Sequence, residues 1–222
     1  DDAVWTAAAL ELTLTTRDRD TADPLPMCGV PWHAADGYLR RLLEMGKKVA
    51  IAEQVEDPRF AKGIVKREVA RVLTPGLAAD AVDSHDPAWL VAIGGTRGAW
   101  GLAFLDASTG DLRCADVGDL GALGAEVSRH GPREALLQPS ADSPEIRALL
   151  GDICTTLTDD FRPDRPGLAA RFGVATDSLV VGLGAASAVL RYAADRLKAD
   201  LRNITALRTY QVGAAMGLDE AT

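Results

Sequence analysis

The spacing of apolar residues divides the chain into two stretches with different rhythms. Residues 5–12 read as the tail of a helix with Leu10 near its end, running into a short strand at 12–15. Residues 18–26 are polar and hold Pro24 and Pro26, so they predict a loop. Between 36 and 45, Tyr38, Leu39, Leu42 and Leu43 form one stripe at the i, i+3, i+4 spacing of an amphipathic helix, and Gly46 supplies the residue that ends it. Residues 48–55 alternate, with Val49 and Ile51 on one face, as a half-buried strand does. A second β-rich run at 65–74 stops at Pro75-Gly76. Together these elements predict a small mixed α/β unit over residues 1–78, and the small and acidic residues of 79–88 read as a linker.

Beyond the linker, three short β runs at 89–93, 100–105 and 112–117 are separated by Gly94-Gly95-Thr96-Arg97-Gly98 and by Ser108-Thr109-Gly110-Asp111, the pattern of an antiparallel meander. Alternating elements follow. A helix carrying Leu120, Leu123 and Val127 ends at Gly131-Pro132, and strands at 135–138 and 155–157 flank a short helix at 145–150. A long helix then carries Val189, Ala193, Leu197 and Leu201 on one stripe. A meander followed by alternating α and β is the order of an RNase H-like fold, assigned here to residues 89–204. The fold class is therefore α/β: a small mixed α/β domain followed by an RNase H-like domain. Residues 205–222 read as the start of a further domain, with a strand at 207–212 and a helix N-cap at Asp219, so the chain has the character of a fragment.

Composition changes this picture little. Hydrophobic residues make up 47% and charged residues 25% of the 222, the balance of a globular protein with real cores. The three cysteines are far apart and no Cys/His cluster offers a zinc site, so they read as buried thiols of a reducing compartment. Neither a secretory leader nor a run long enough to span a bilayer is visible, which points to a cytoplasmic protein without a membrane partner. The net charge of −8 argues mildly against nucleic acid, but its distribution is uneven. From residue 59 to 71 five basic residues (Arg59, Lys62, Lys66, Arg67, Arg71) face one acid, Glu68. Such a strip fits local phosphate contact, but charge alone favours a solvated strand edge.

Catalytic motifs are sparse. Gly46-Lys47-Lys48 follows a helix and lacks the hydroxyl of a phosphate loop. His33, His85 and His130 stand alone and read as turn or packing residues. Asp106, Asp111 and Glu134 invite comparison with the carboxylates that hold two metal ions in RNase H-like nucleases, but aspartates in Asp106-Ala107-Ser108-Thr109-Gly110-Asp111 equally serve turn formation.

Several segments are more specific. Pro24-Leu25-Pro26-Met27-Cys28-Gly29-Val30-Pro31-Trp32-His33-Ala34-Ala35 resembles the PxPMAGVPYHA segment of the bacterial MutS family of DNA mismatch-repair proteins. Val49-Ala50-Ile51-Ala52-Glu53-Gln54-Val55-Glu56-Asp57-Pro58 is similar to its VAICEQxxDP. Lys62-Gly63, the run from Arg67 to Arg71 and Thr74-Pro75-Gly76 resemble its KGxVxRxVxRxxTPG. Weaker matches continue through Leu105-Asp106-Ala107-Ser108-Thr109-Gly110 to Leu218-Asp219-Glu220-Ala221-Thr222, similar to the LDxAT that opens the family's core domain. Trp32 stands for the usual Tyr and Cys28 for the usual Ala.

The resemblance implies a mismatch-recognition domain, a connector domain and the first residues of a core domain. In the family these belong to a clamp-like homodimer that kinks double-stranded DNA carrying mispairs or small loops. A C-terminal ATPase, using ATP and Mg, licenses recruitment of MutL. The resemblance places the family's Phe-x-Glu wedge motif upstream of Asp1 and its ATPase beyond Thr222. On that basis the chain itself is expected to be non-catalytic, to hold no cofactor or metal, and not to tell a mispaired duplex from a paired one. Carried over position by position, Arg17 and Arg67 resemble backbone-contacting arginines and Met27 lies in the segment facing the minor groove, with Lys62 and Lys66 as helpers. His33, Glu53 and Gln54 read as buried polar scaffold, and the helix and turn around Gly167 to Gly173 as a docking surface for MutL. Two other functions are compatible with the residues: a protein-interaction module of a MutS relative that does not bind mismatches, and an RNase H-like nuclease.

Overall fold

A computed structural model describes residues 2–17, 23–57, 59–60, 65–77, 87–173 and 180–213. The linker residues 78–86 and the N-cap expected at Asp219 lie outside the described residues.

The first unit contains helix α1 (Asp2–Leu10), a hairpin of β1 (Leu14–Arg17) and β2 (Leu25–Cys28), helix α2 (Ala35–Glu44), and a ribbon of β3 (Val49–Gln54) and β4 (Arg67–Leu73). Helix α2 is where the stripe places it. Gly46 (φ +73°) lets its N–H reach the Leu43 carbonyl at 2.9 Å while Lys47 N–H reaches Leu42 O at 2.9 Å, closing the helix in the usual left-handed manner. Leu39 and Leu43 pack on Ile51 and Leu73, the apolar face expected of β3. The loop expected through Pro26 is shorter than its prolines suggest. Leu25 already begins β2, and Pro26 is accommodated opposite Thr16 in a hairpin of only two strands, where a missing N–H costs least.

The second unit is a six-stranded sheet of order β10-β7-β6-β5-β8-β9. Strands β5 (Leu90–Thr96), β6 (Ala99–Asp106) and β7 (Asp111–Val117) form the expected antiparallel meander, while β8 (Glu134–Leu137) and β9 (Cys154–Leu157) add in parallel on the β5 side. This is the RNase H-like arrangement read from the sequence. Helices α3 (Leu120–His130) and α4 (Pro144–Leu150) cover one face; α5 (Arg165–Phe172) and α6 (Gly182–Leu197) cover the other. With both faces covered, β6 is buried from Trp100 to Asp106 and reads as an almost continuous apolar run. Alternate residues divide between the two cores: Leu90, Ala92, Ala103 and Leu105 meet α6, and Val91, Ile93, Leu102 and Phe104 meet α3.

Four expectations need correction. Gly94, Gly95 and Thr96 belong to β5 and not to the turn, pairing with Gly101, Trp100 and Ala99; position 94 is glycine because a Cβ there would strike the Phe161 ring. The strand expected at 207–212 is β10 (Ala206–Thr209), one to three residues earlier at its two ends, and it pairs in parallel with β7 as an edge of the sheet. Tyr210 beyond it donates to the buried Glu126 carboxylate at 2.9 Å. The α6 stripe stops at Leu197: Leu201 is buried, but in a turn with φ +51°. Of the three thiols only Cys114 is fully buried, where desolvation, helped by the Asp116 charge, pushes it up to about 12; Cys28 and Cys154 are partly exposed. His130 does pack as expected, stacked on Phe104 at 4.0 Å.

Helix α6 lies unusually close to the sheet because its first turns are small residues. Asp116 on β7 accepts from the N–H groups of Val180, Val181 and Gly182 at 2.8, 3.1 and 2.6 Å, which places a carboxylate on the positive end of the helix. A Cβ on Gly101 would sit 2.3 Å from the Val181 carbonyl carbon. Replacing Gly101 by alanine must therefore push α6 off the sheet. A Gly101→Ala chain is expected to lose about 3 kcal/mol of stability, read as a lower urea midpoint with an unchanged slope.

Candidate nucleic-acid interface

The hairpin pairs Thr15 with Met27 and Arg17 with Leu25. Cross-strand partners share a face, so these four side chains lie on one side, with Leu14, Thr16, Pro26 and Cys28 on the other. Arg17, Leu25 and Met27 are exposed. The structure thus brings Arg17 and Met27 together on one open face, an apolar patch edged by a cation. Trp32, just beyond, is 92% exposed.

The ribbon behaves differently from its sequence pattern. Ile51 pairs with Arg71 and Ala52 with Val69, which leaves Ala70 as an extra residue on β4. A bulge of this kind shifts the side-chain alternation by one. Arg71 shares the Ile51 face, toward α2, whereas Arg67 and Val69 turn to the opposite, exposed face with Ala52 and Gln54. In an unbroken strand, Arg67 and Arg71 would share one face.

The strip is also less positive than its composition. Arg59 is gripped by Asp57 through contacts of 2.7 to 3.2 Å, and Lys66 by Glu68 at 2.7 Å. The Arg59 guanidinium in turn holds the Asp57 carboxyl below its usual range, its side-chain bonds leading and its backbone N–H adding. Lys62 lies outside the described residues. Arg67, at the ribbon's far end opposite Gln54, is exposed and has no side-chain partner among the described residues. His33, Glu53 and Gln54, expected as buried scaffold, are exposed as well. The polar scaffold lies elsewhere.

It lies at the junction of the two units. Glu134, the first residue of β8, is fully buried. Its Oε1 accepts from Lys48 Nζ at 3.0 Å and from Tyr192 OH at 2.7 Å, and its Oε2 from Gly76 N–H at 3.2 Å. Lys48 Nζ also donates to Tyr192 OH at 3.0 Å and to Thr156 Oγ1. Burial works to lower the Lys48 pKa, but the Glu134 charge and the hydrogen bonds outweigh it, so the ammonium is held above its ordinary 10.5. Burial and the same carboxylate raise the Tyr192 phenol. Sequence reading missed this cluster because Lys48 and Tyr192 are 144 residues apart. The one signal was a glutamate at the start of an apolar strand, a position that charges rarely occupy unpaired.

The carboxylates weighed for metal binding do not converge. Asp106 accepts from Ser108 N–H, Ser108 Oγ and Thr109 Oγ1 at 3.0, 2.6 and 2.9 Å, the turn-forming role. Asp111 faces Arg113, and Glu134 is taken up as described. No group of three potential metal ligands occurs among the described residues. Gly46 to Lys48 do not fit a nucleotide phosphate either: they follow the C-terminal end of α2, where carbonyls and not N–H groups are presented, and Lys48 is engaged. Among the described residues no helix is long and apolar enough to cross a membrane.

The fold is thus a two-part α/β protein: a small mixed unit with an exposed cation-edged hairpin, joined to an RNase H-like domain whose Asp106, Asp111 and Glu134 are engaged in turns and ion pairs. Comparison with known proteins identifies its lineage. The family models described as MutS domain I and MutS domain II match residues 1–82 and 88–205. The whole chain is 42% identical to the DNA mismatch repair protein MutS of Syntrophobacter fumaroxidans, covering 27% of that protein. It is 38% identical to that of Anaeromyxobacter sp. (strain K) and 36% to that of Myxococcus xanthus, covering 26% and 27% of them. The chain belongs to the MutS family and spans about a quarter of the length of these relatives.

Two outcomes are expected. The stability difference between the native chain and Lys48→Met is present at neutral pH. A raised amine pKa contributes below the unfolded value and is lost as pH rises through the folded one, so the difference shrinks only above about pH 10.5. Urea titrations from pH 6 to 11 measure it. Incubating the chain with labelled DNA and RNA and Mg²⁺ or Mn²⁺ is expected to give no cleavage; a product lost on Asp106→Asn would restore the nuclease reading.

Proposed function

We propose that the chain is the DNA-contacting and connector part of a protein that recognises mispairs or small loops in double-stranded DNA and initiates their repair. In this reading the rest of the protein supplies the ATPase, with ATP and Mg, the homodimer contact and the signal to MutL. The observation that carries the proposal is the exposed Arg67, without a side-chain partner among the described residues, on the face to which the β4 bulge turns it. The names of the relatives support the same reading. Residues 1–78 form the recognition domain and the sheet domain the connector.

Arg17 and Arg67 hold the phosphate backbone while the apolar face around Met27 lies along the groove. Such arginines stabilise a bent duplex, and bending costs least where pairing is already poor. Lys66, tied to Glu68, contributes less than Arg67, and Lys62 is assigned a supporting role. Phosphate contacts carry no sequence information, so binding by this chain is sequence-independent and steeply salt-dependent.

The test is affinity for a duplex at several salt concentrations. Arg67→Ala is expected to weaken binding to all duplexes alike and to reduce the log–log salt slope by about 0.9, and adding Arg17→Ala by about as much again. Lys66→Ala is expected to change the slope less. An unchanged slope in a folded Arg67→Ala chain removes Arg67 from the interface.

A further inference from the structure

We propose that Glu134 is a positioning residue: from the connector, it aims the β3–β4 ribbon and with it Arg67. The inference uses the DNA reading of Arg67 only for what the aiming achieves; the aiming itself stands on the junction geometry.

The two oxygens of one buried carboxylate take hold of both strands at the ribbon's root. Lys48 immediately precedes β3, and Gly76 lies three residues past the end of β4. The root pair is Val49 with Leu73, and the tip pair is Gln54 with Arg67. Oε1 receives the Lys48 ammonium and Oε2 the Gly76 N–H. Tyr192 from α6 and Thr156 from β9 complete the cage around Lys48 Nζ. Contact with the connector is tight on the β4 side: a Cβ on Gly76 would lie 2.9 Å from Glu134 Cβ, and Leu77 is buried in the core shared with α6.

Among the described residues nothing comparable supports the tip. The apolar cluster on the ribbon joins Leu39 and Leu43 of α2 to Ile51 and Leu73, both in the ribbon's root half. From Ala52 to Gln54 and from Arg67 to Ala70 every residue is exposed. A two-stranded ribbon of six pairs extends about 20 Å, at about 3.3 Å per residue. An angular play of about 10° at the root therefore displaces the tip by roughly 3.5 Å, more than the 2.7–2.9 Å of a charge-assisted hydrogen bond. Only a stiff root keeps Arg67 in one place, and the Glu134 cage is a buried polar contact that stiffens it.

The experiment measures distances between nitroxide labels at Gln54→Cys on the ribbon tip and Ala148→Cys on α4, in a chain with Cys28 and Cys154 replaced by alanine. Cys114 is fully buried and does not label. The parent is expected to give one narrow distribution. Glu134→Gln and Lys48→Met are expected to broaden it at least twofold, and Lys48→Arg, which keeps the charge, to restore it. Lys48→Met guards against misfolding, because its side chain is one-third exposed and lies outside the connector core. A folded Lys48→Met chain with the parent's width overturns the proposal, as does a failure of Lys48→Arg to narrow the distribution again. Duplex affinity is measured in parallel. Lys48→Met is expected to weaken it several-fold at unchanged salt slope, since Lys48 loses aim and not a phosphate contact. Broadening with unchanged affinity leaves the aiming role standing and removes instead the assignment of Arg67 to DNA.

Discussion

A buried carboxylate is tolerable only when both oxygens are occupied, and Glu134 meets that condition with donors from both units of the protein. Its pairing with Lys48 is not a cheap source of stability, because desolvating two charges offsets most of their attraction. Its value lies in the asymmetry. Removing one partner of such a pair costs about 3–5 kcal/mol, toward the low end here because the Lys48 side chain is one-third exposed. An arrangement costly to break and modest to make specifies geometry more than it supplies stability. The small unit needs such specification. Its two sheets have two strands each, and isolated pairs of strands are marginal in water.

The connector provides the rigid ground for that contact. Its sheet is buried on both faces, and its largest helix, α6, approaches closely through glycines, alanines and a serine instead of large side chains. Close approach leaves the first N–H groups of α6 near the sheet and without partners in the helix, and Asp116 supplies the acceptor. The same helix presents Tyr192 to Glu134. Packing that looks purely structural therefore reaches the junction, and through it the ribbon.

Charge on the ribbon illustrates how composition overstates a surface. Five basic residues in thirteen suggest a positive strip, yet Arg59 and Lys66 are paired with acids close by in sequence. Exposed pairs of this sort are worth little in stability, but they lower the local potential that a phosphate meets. What distinguishes Arg67 is its face, and the face is set by one extra residue, Ala70.

Much of the fold was legible in the residues, because periodicity is a local property. The α2 stripe, the Val49 and Ile51 face, the meander and the later alternation all follow from side chains within one element and its neighbours, and they sufficed for an RNase H-like assignment. The motif segments around Met27, Val49 and Arg67 carried the family resemblance in the same local way. Local reading failed where a distant partner decides the outcome. Gly94 and Gly95 look like a turn until Phe161 at the first and the Ala99 carbonyl at the second show why the strand itself has no room for a side chain there. Residues 206–209 read as a strand in sequence, but only the fold shows β7 as the partner they join in parallel. Arg67 and Arg71 look like neighbours on one face until the bulge separates them. Glu134 drew notice as a possible metal ligand, and only the folded chain shows that its charge is answered by a lysine and a tyrosine from opposite ends of the sequence. Sequence alone thus determined the elements, their order and the family. Tertiary structure decided which charges are spent on one another and which remain to meet a ligand, because pairing depends on distances that chain separation does not encode.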